Sequence, residues 1–289
     1  MIDDLKPDPT TNTTGVARNL FSWWHGFKLA TMHTAIKSTV VQPIRKAVAA
    51  LRDFLLPPRC LNCRTQMLQD NALCPSCWQH LTLLTLACSR CALPLAAELA
   101  AAAGDGEPLL CGQCLSDPPP FTAARAAWLY DAHSAPHLLA FKHGDRLDYS
   151  PWLARLLWQA GADVLQDADF LLPVPLHWRR QWQRRYNQAA ELAKDLSRLS
   201  QVPTRHGWLL RRKSTPSQGG LHQGERQRNV AHAFVVKPSA KALLNGAKVV
   251  LIDDVLTTGA TATACTTTLL RAGAAEVRVL TVARVARNA

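Results

Sequence analysis

Along the C-terminal two thirds of this chain the apolar positions switch repeatedly between a continuous or two-residue period and a helical one. Lys248 to Ile252 is an almost unbroken apolar run and predicts a buried strand. Ala260 to Ala272 then repeats at helical spacing, and Glu276 to Ala283 predicts a last strand. Upstream, Ala126 to Tyr130 reads as a short strand, Ala135 to Phe141 as a helix and Tyr149 to Ala162 as an amphipathic helix. Phe170 to Pro175 predicts a buried strand ending in prolines, Gln188 to Ser200 a helix, and Ala233 to Val236 a short strand. Strands alternating with helices give an α/β fold whose parallel sheet binds ligands at the carboxyl ends of its strands. Residues 1–55 read as an extension, polar and disordered as far as Thr14 and helix-prone from Val16 to Phe54. A cysteine-rich module is expected over 56–120 and the α/β domain over 121–289, with Pro118-Pro119-Pro120 as a stiff joint between them.

Composition narrows this picture. Hydrophobic residues at 48% support a proper core, and charged residues at 19% argue against extensive disorder. The sequence has no window of 18 consecutive apolar residues, which argues against a membrane span. The opening Met1 to Lys6 lacks the regions of a secretory signal, so a cytoplasmic location is expected. The formal net charge is +12, and the stretch from Leu171 to Arg228 carries 12 Lys/Arg against 3 Asp/Glu. Such a concentration suits an anionic ligand, either a pyrophosphate or a nucleic acid, although a solvated basic face would look the same.

The chemistry-bearing motif follows the run at 248–252: Asp253-Asp254-Val255-Leu256, then Thr257, Thr258, Gly259, Ala260 and Thr261. A new helix leaves its first N–H groups unpaired and its dipole favours an anion, so a phosphate fits this turn. An ordinary strand, cap and helix would give no reason for adjacent acids at the strand's end. No Walker loop and no Gly-x-Gly-x-x-Gly turn occurs, which removes those two nucleotide-binding classes. Further cations follow predicted elements: Lys142 to Arg146 after a helix, and Arg179 and Arg180 after a strand. Arg211 to Gly220, continuing to Arg226, Arg228 and Asn229, reads as a basic loop that closes over a ligand, or as a surface linker.

Eight of nine cysteines form four Cys-x-x-Cys pairs: Cys60/Cys63, Cys74/Cys77, Cys88/Cys91 and Cys111/Cys114. Two such knuckles can complete a four-thiolate Zn2+ shell, giving one or two structural ions. Disulfides suit an oxidising compartment better than this one, and four pairs are too many for a single redox centre. Spacing leaves the pairing of knuckles open, including a crossed arrangement. Cys265 reads as a small buried residue.

The string from Val249 to Thr261 resembles the phosphoribosyl-pyrophosphate (PRPP) signature of type I phosphoribosyltransferases. That resemblance implies ribose contacts at Asp253 and Asp254 and a 5′-phosphate cradle from Thr257 to Thr261, with Lys142, Arg179, Arg180 and Arg184 as further PRPP ligands. Four knuckles, Phe141-Lys142, Pro173-Val174-Pro175, Arg184 with Asn187-Gln188, Gln218…Arg226…Asn229 and the acidic signature occur in the order seen in the ComF/GntX family, which the chain resembles from Pro57 to Arg284. One departure is Arg185-Tyr186 where the family usually has Gly-Phe. The resemblance implies a double zinc-ribbon module joined to a type I phosphoribosyltransferase domain, Mg2+-assisted displacement of pyrophosphate from PRPP, and a role in competence. Single-stranded DNA and competence-machinery proteins would be its partners. The competing reading is a catalytically inactive accessory protein that binds single-stranded DNA through ribbons and basic loops, with Trp128, Trp152, Trp178, Trp182 and Trp208 available to stack on bases.

Overall fold

The computed structural model describes residues 57–68, 72–98, 108–143, 146–176, 186–212 and 233–286. The extension 1–55, Arg179, Arg180, Arg184, Trp178, Trp182 and the basic loop from Lys213 to Asn229 lie outside the described residues.

Four parallel strands form the central sheet. They are β1 (Ala124–Leu129), β2 (Phe170–Pro173), β5 (Lys248–Leu256) and β6 (Glu276–Arg284), arranged β1-β6-β5-β2. Both faces are covered, which is why β5 and β6 read as near-continuous apolar runs. Alternate residues serve opposite faces: Val250, Ile252, Leu280 and Val282 pack into one core, and Val249, Leu251, Val277 and Val279 into the other. The first core is closed by helices α4 (Ser150–Ala160) and α6 (Gln188–Ser200), the second by α8 (Ala260–Arg271), whose Cys265 and Leu269 are fully buried. Among the described residues no helix is long and apolar enough to cross a membrane.

Several boundaries differ from the sequence reading for physical reasons. Strand β5 continues through Asp253, Asp254, Val255 and Leu256, because β6 goes on pairing with it as far as Leu256 opposite Arg284. The helix expected over 149–162 ends at Ala160, and a separate short helix, α5 (Ala162–Leu165), follows Gly161. Strand β3 (Leu209–Arg211) pairs antiparallel with β4 (Phe234–Val236), so Arg211 belongs to a strand rather than to a polar loop. Trp128 and Trp152 are core residues with ring centroids 5.3 Å apart, which removes them as bases for stacking.

The ribbons share the core of the α/β domain. Cys60, Leu61, Leu73, Cys74 and Leu81 cluster with Trp128, Leu153 and Leu157. Residues 82–84 run antiparallel alongside β1, with Leu84 N–H donating to Ala127 O at 3.1 Å and Leu129 N–H to Thr82 O at 2.8 Å.

Gly161 sits where α4 approaches the sheet. A Cβ there would lie 2.6 and 2.7 Å from the two methyls of the fully buried Leu280 and 3.0 Å from Leu157 O. Gly161→Ala is therefore expected to cost about 1–3 kcal/mol through overpacking. A lowered denaturant midpoint at unchanged slope is the expected readout, and an unchanged midpoint would show that the helix can shift freely.

Candidate functional site

The end of β5 delivers the two carboxylates. Neighbours in a strand point to opposite sides, and here Asp254 turns toward α3 (Ala135–His143), where its carboxylate lies 3.1 Å from Lys142 Nζ. Asp253 stands across the sheet from Thr281 and faces the side of Cys265 and Arg211. It keeps a partial opening to the cavity while protein surrounds it otherwise. That burial, with the charge of Asp254 next in importance, pushes the Asp253 carboxyl up to about 7; Lys142 and Arg211 pull the other way. Asp254 N–H donates to Asp253 Oδ1 at 2.9 Å, which orients the pair.

After Leu256 the chain turns through Thr257, Thr258 and Gly259 into α8. Gly259 caps the helix at φ +82°, a conformation that a side chain would strain. Thr258 Oγ1 accepts weakly from Ala260 N–H at 3.4 Å.

These groups converge on one cavity of about 360 Å³ at the carboxyl ends of the strands, lined by Lys142, Arg211, Asp253, Asp254, Thr257, Gly259 and Thr261 among others. Strand ends Tyr130 and Val174 and the start of α6 supply its walls. The structure therefore brings together the predicted acids, loop and Lys142. Ala260 is buried beneath the turn, and Thr258 faces a second cavity behind it. Arg146 points elsewhere: it forks onto Asp148 and donates to Leu61 O, so it is not available to a phosphate.

Three residues quoted only as family markers have visible tasks. Tyr186 Oη donates to Phe141 O at 2.8 Å and Gln188 Nε2 to Lys142 O at 2.9 Å, which together hold the end of α3 in place. Asn187 caps α6 by accepting from Ala189 N–H at 3.1 Å, while its Nδ2 donates to Val174 O at 3.1 Å. The aromatic and amide of the departing Arg-Arg-Tyr-Asn-Gln sequence thus still position Lys142.

Stability should register the buried acid. A carboxyl whose folded pKa is raised stabilises the protein fully below its unfolded pKa, near 4, and loses that contribution as pH climbs through about 7. Asp253→Asn has no such charge. Its gain over wild type should grow by about 1 kcal/mol between pH 6 and pH 8, or about 2–4 °C in Tm. Parallel melting curves at both pH values would show that Asp253 is well solvated.

The eight knuckle cysteines gather into two groups, Cys60/Cys63/Cys74/Cys77 and Cys88/Cys91/Cys111/Cys114, with the sulfurs of each group within 4.8 Å of one another. The crossed pairing is thereby excluded. Short helices open at the second knuckle of each group, α1 (Pro75–Trp78) and α2 (Gly112–Ser116). Backbone N–H groups of Cys74 and Cys111 donate to Cys60 Sγ and Cys88 Sγ, both at 3.3 Å. Packed sulfurs compete for protons: a hydrogen bond from Cys91 lowers Cys88 to about 4, whereas burial raises Cys114 to about 12. Soft thiolate donors, four to a group and close to tetrahedral separation, fit structural Zn2+.

Arg284 was missed by sequence reasoning. The residue is 1% exposed, and its guanidinium donates to carbonyls on both sides of a module boundary. A lone arginine ending a strand carries no sequence signal for that role.

Comparison with known proteins agrees with both halves. The Double zinc ribbon domain family matches residues 51–115 and the Phosphoribosyl transferase domain family residues 187–289. The parallel sheet with its flanking helices is thus a phosphoribosyltransferase domain, preceded by a zinc-ribbon module. The chain is 32% identical to "Competence protein F" of Haemophilus influenzae over 232 residues, 78% of this chain and 96% of that protein. It is 30% identical to "DNA utilization protein YhgH" of Escherichia coli K12 over 230 residues, with the same coverage of both chains.

Proposed function

Because this chain belongs to the ComF family, whose relatives are named for competence and DNA utilization, we propose that it binds PRPP at the end of β5 and acts as a phosphoribosyltransferase in the handling of DNA taken up by the cell. One observation carries this reading: two carboxylates, a lysine and a Thr/Gly helix-opening loop line a single cavity at the carboxyl ends of a parallel sheet.

In this reading Asp253 and Asp254 accept hydrogen bonds from the ribose hydroxyls, and the turn from Thr257 to Thr261 holds the 5′-phosphate against the start of α8. Lys142, released from Asp254 by the incoming sugar, meets the pyrophosphate as a point charge. Departure of pyrophosphate leaves positive charge on the ribose ring. The two carboxylates beside it stabilise that charge. Both are hard oxygen donors open to the cavity and fit Mg2+ arriving with the substrate, which would neutralise the leaving group. No described side chain stands as a nucleophile, so the acceptor supplies its own. The domain boundaries near 55 and 120 belong to the same proposal, as do Arg179, Arg180 and Arg184 as further phosphate ligands.

Isothermal titration of the full chain with PRPP and Mg2+ tests it. Saturable binding that weakens when Mg2+ is left out is the expected result, and absence of heat under both conditions would overturn the reading.

A further inference from the structure

Arg284 closes β6 directly behind the phosphate loop. Its Nη1 donates to Leu256 O at 2.9 Å, to Val285 O at 2.8 Å and, in a very short contact, to Thr257 O. On its other side Nε donates to Cys91 O at 2.9 Å, the carbonyl of a cysteine in the second sulfur group. One buried cation therefore grips the first residues of the loop and the backbone of a zinc knuckle together.

The peptide unit explains what this grip does. In a trans peptide the carbonyl and the next N–H point in opposite directions. Holding Leu256 O and Thr257 O toward Arg284 thus aims the N–H groups of Thr257 and Thr258 away from it. A positive charge buried at this distance also raises the potential at the loop, in surroundings that screen it weakly. Packing does not fix the loop from behind. A cavity of about 210 Å³ lies there, walled by Cys91, Cys114, Phe121 and Arg284 on one side and by Thr258 and Thr263 on the other. The loop has room to retreat into that space when the arginine lets go.

We propose that Arg284 is a positioning residue that couples the second zinc ribbon to the phosphate loop, so that metal at Cys88, Cys91, Cys111 and Cys114 sets the loop's shape and its affinity for a phosphorylated ribose. The affinity part rests on the PRPP reading above; the coupling of ribbon to loop does not. With the knuckle empty, Cys91 O loses its fixed position and Arg284 loses the anchor that holds it against the loop.

The test uses the full chain and two readouts. Amide hydrogen exchange over residues 256–263 is followed without ligand in wild type, Arg284→Met, Cys114→Ser and the double variant, with zinc content measured alongside. Each single variant should speed exchange of the loop about tenfold, the low end for one charge-assisted hydrogen bond, and the double variant should add little more. Arg284→Lys keeps the charge without the fork and should fall between, which also serves if the methionine variant folds poorly. Loop exchange that is unchanged in both Arg284 variants, or an effect of Cys114→Ser that adds fully to that of Arg284→Met, would overturn the coupling. PRPP titration supplies the second readout, with about ten- to hundredfold weaker binding expected in Arg284→Met. If wild type binds no PRPP while the exchange pattern holds, the substrate assignment fails and the coupling stands.

Discussion

Replacing Cys60 with serine should reduce the zinc content from about two ions per chain to about one and leave a protein that melts at least about 10 °C lower or collects in the insoluble fraction. The size of the effect follows from where this cysteine lies. Cys60 is fully buried, and its group packs into the same core as Trp128, Leu153 and Leu157. The neighbouring Leu61 carbonyl accepts from Tyr149 Oη at 2.8 Å and from Arg146, so the first ribbon also anchors the segment after α3. Structural zinc contributes roughly 10–16 kcal/mol of apparent binding energy in small ribbons, against a total stability of roughly 5–15 kcal/mol for a domain. Loss of about half of that figure shifts a midpoint by the stated amount at about 2–4 °C per kcal/mol. Metal analysis with thermal melting provides the check, and Cys265→Ala is the control: its sulfur lies in the other core, away from either group, so zinc should stay at about two. A wild-type protein with no zinc and all nine thiols free would favour thiol redox chemistry instead.

Asp254→Asn should weaken PRPP binding about a hundredfold in the presence of Mg2+ while leaving zinc content and fold intact. Two effects add. The variant removes a charged acceptor for ribose hydroxyls, worth roughly 1.5–3 kcal/mol, and leaves Lys142 without the partner that holds it over the cavity. Titration calorimetry reads the affinity, and Lys142→Met separates the contributions: it should weaken binding less than Asp254→Asn, since it spares the ribose contacts. Equal affinity in wild type and Asp254→Asn would remove this carboxylate from the site. The mutant's fold is expected to survive because Asp254 lies at the cavity wall rather than in either core.

Much of this site could be read in the sequence, for reasons specific to its residues. A buried parallel strand, two acids and a Thr/Gly turn are local and contiguous, so Val249 to Thr261 shows its chemistry without tertiary context. Helix α6 matched its expected limits, Gln188 and Ser200, because a capping asparagine and a clean apolar stripe mark it. The pairing of the knuckles, which spacing left open, shows only in where the fold gathers their sulfurs. What stayed hidden depends on long-range contacts or on very short elements. Strand β3 spans three residues inside a basic stretch, too few for a period to show. Arg284 acts on carbonyls 28 and 193 positions away, and nothing near it in sequence hints at them. The ribbons' place in the core was equally invisible, since Leu61, Leu73 and Leu81 have neighbours there from across the whole domain.

The antiparallel run at 82–84 beside β1 has a further implication. An open sheet border with unpaired backbone groups is a template on which a second polypeptide can dock and from which aggregates grow. Here the ribbon covers that border, and it lies upstream of the strand it shields. A ribosome releases this shield before β1 itself, so the outer side of β1 can be covered as soon as it forms, while its inner side waits for β6, the last strand to emerge.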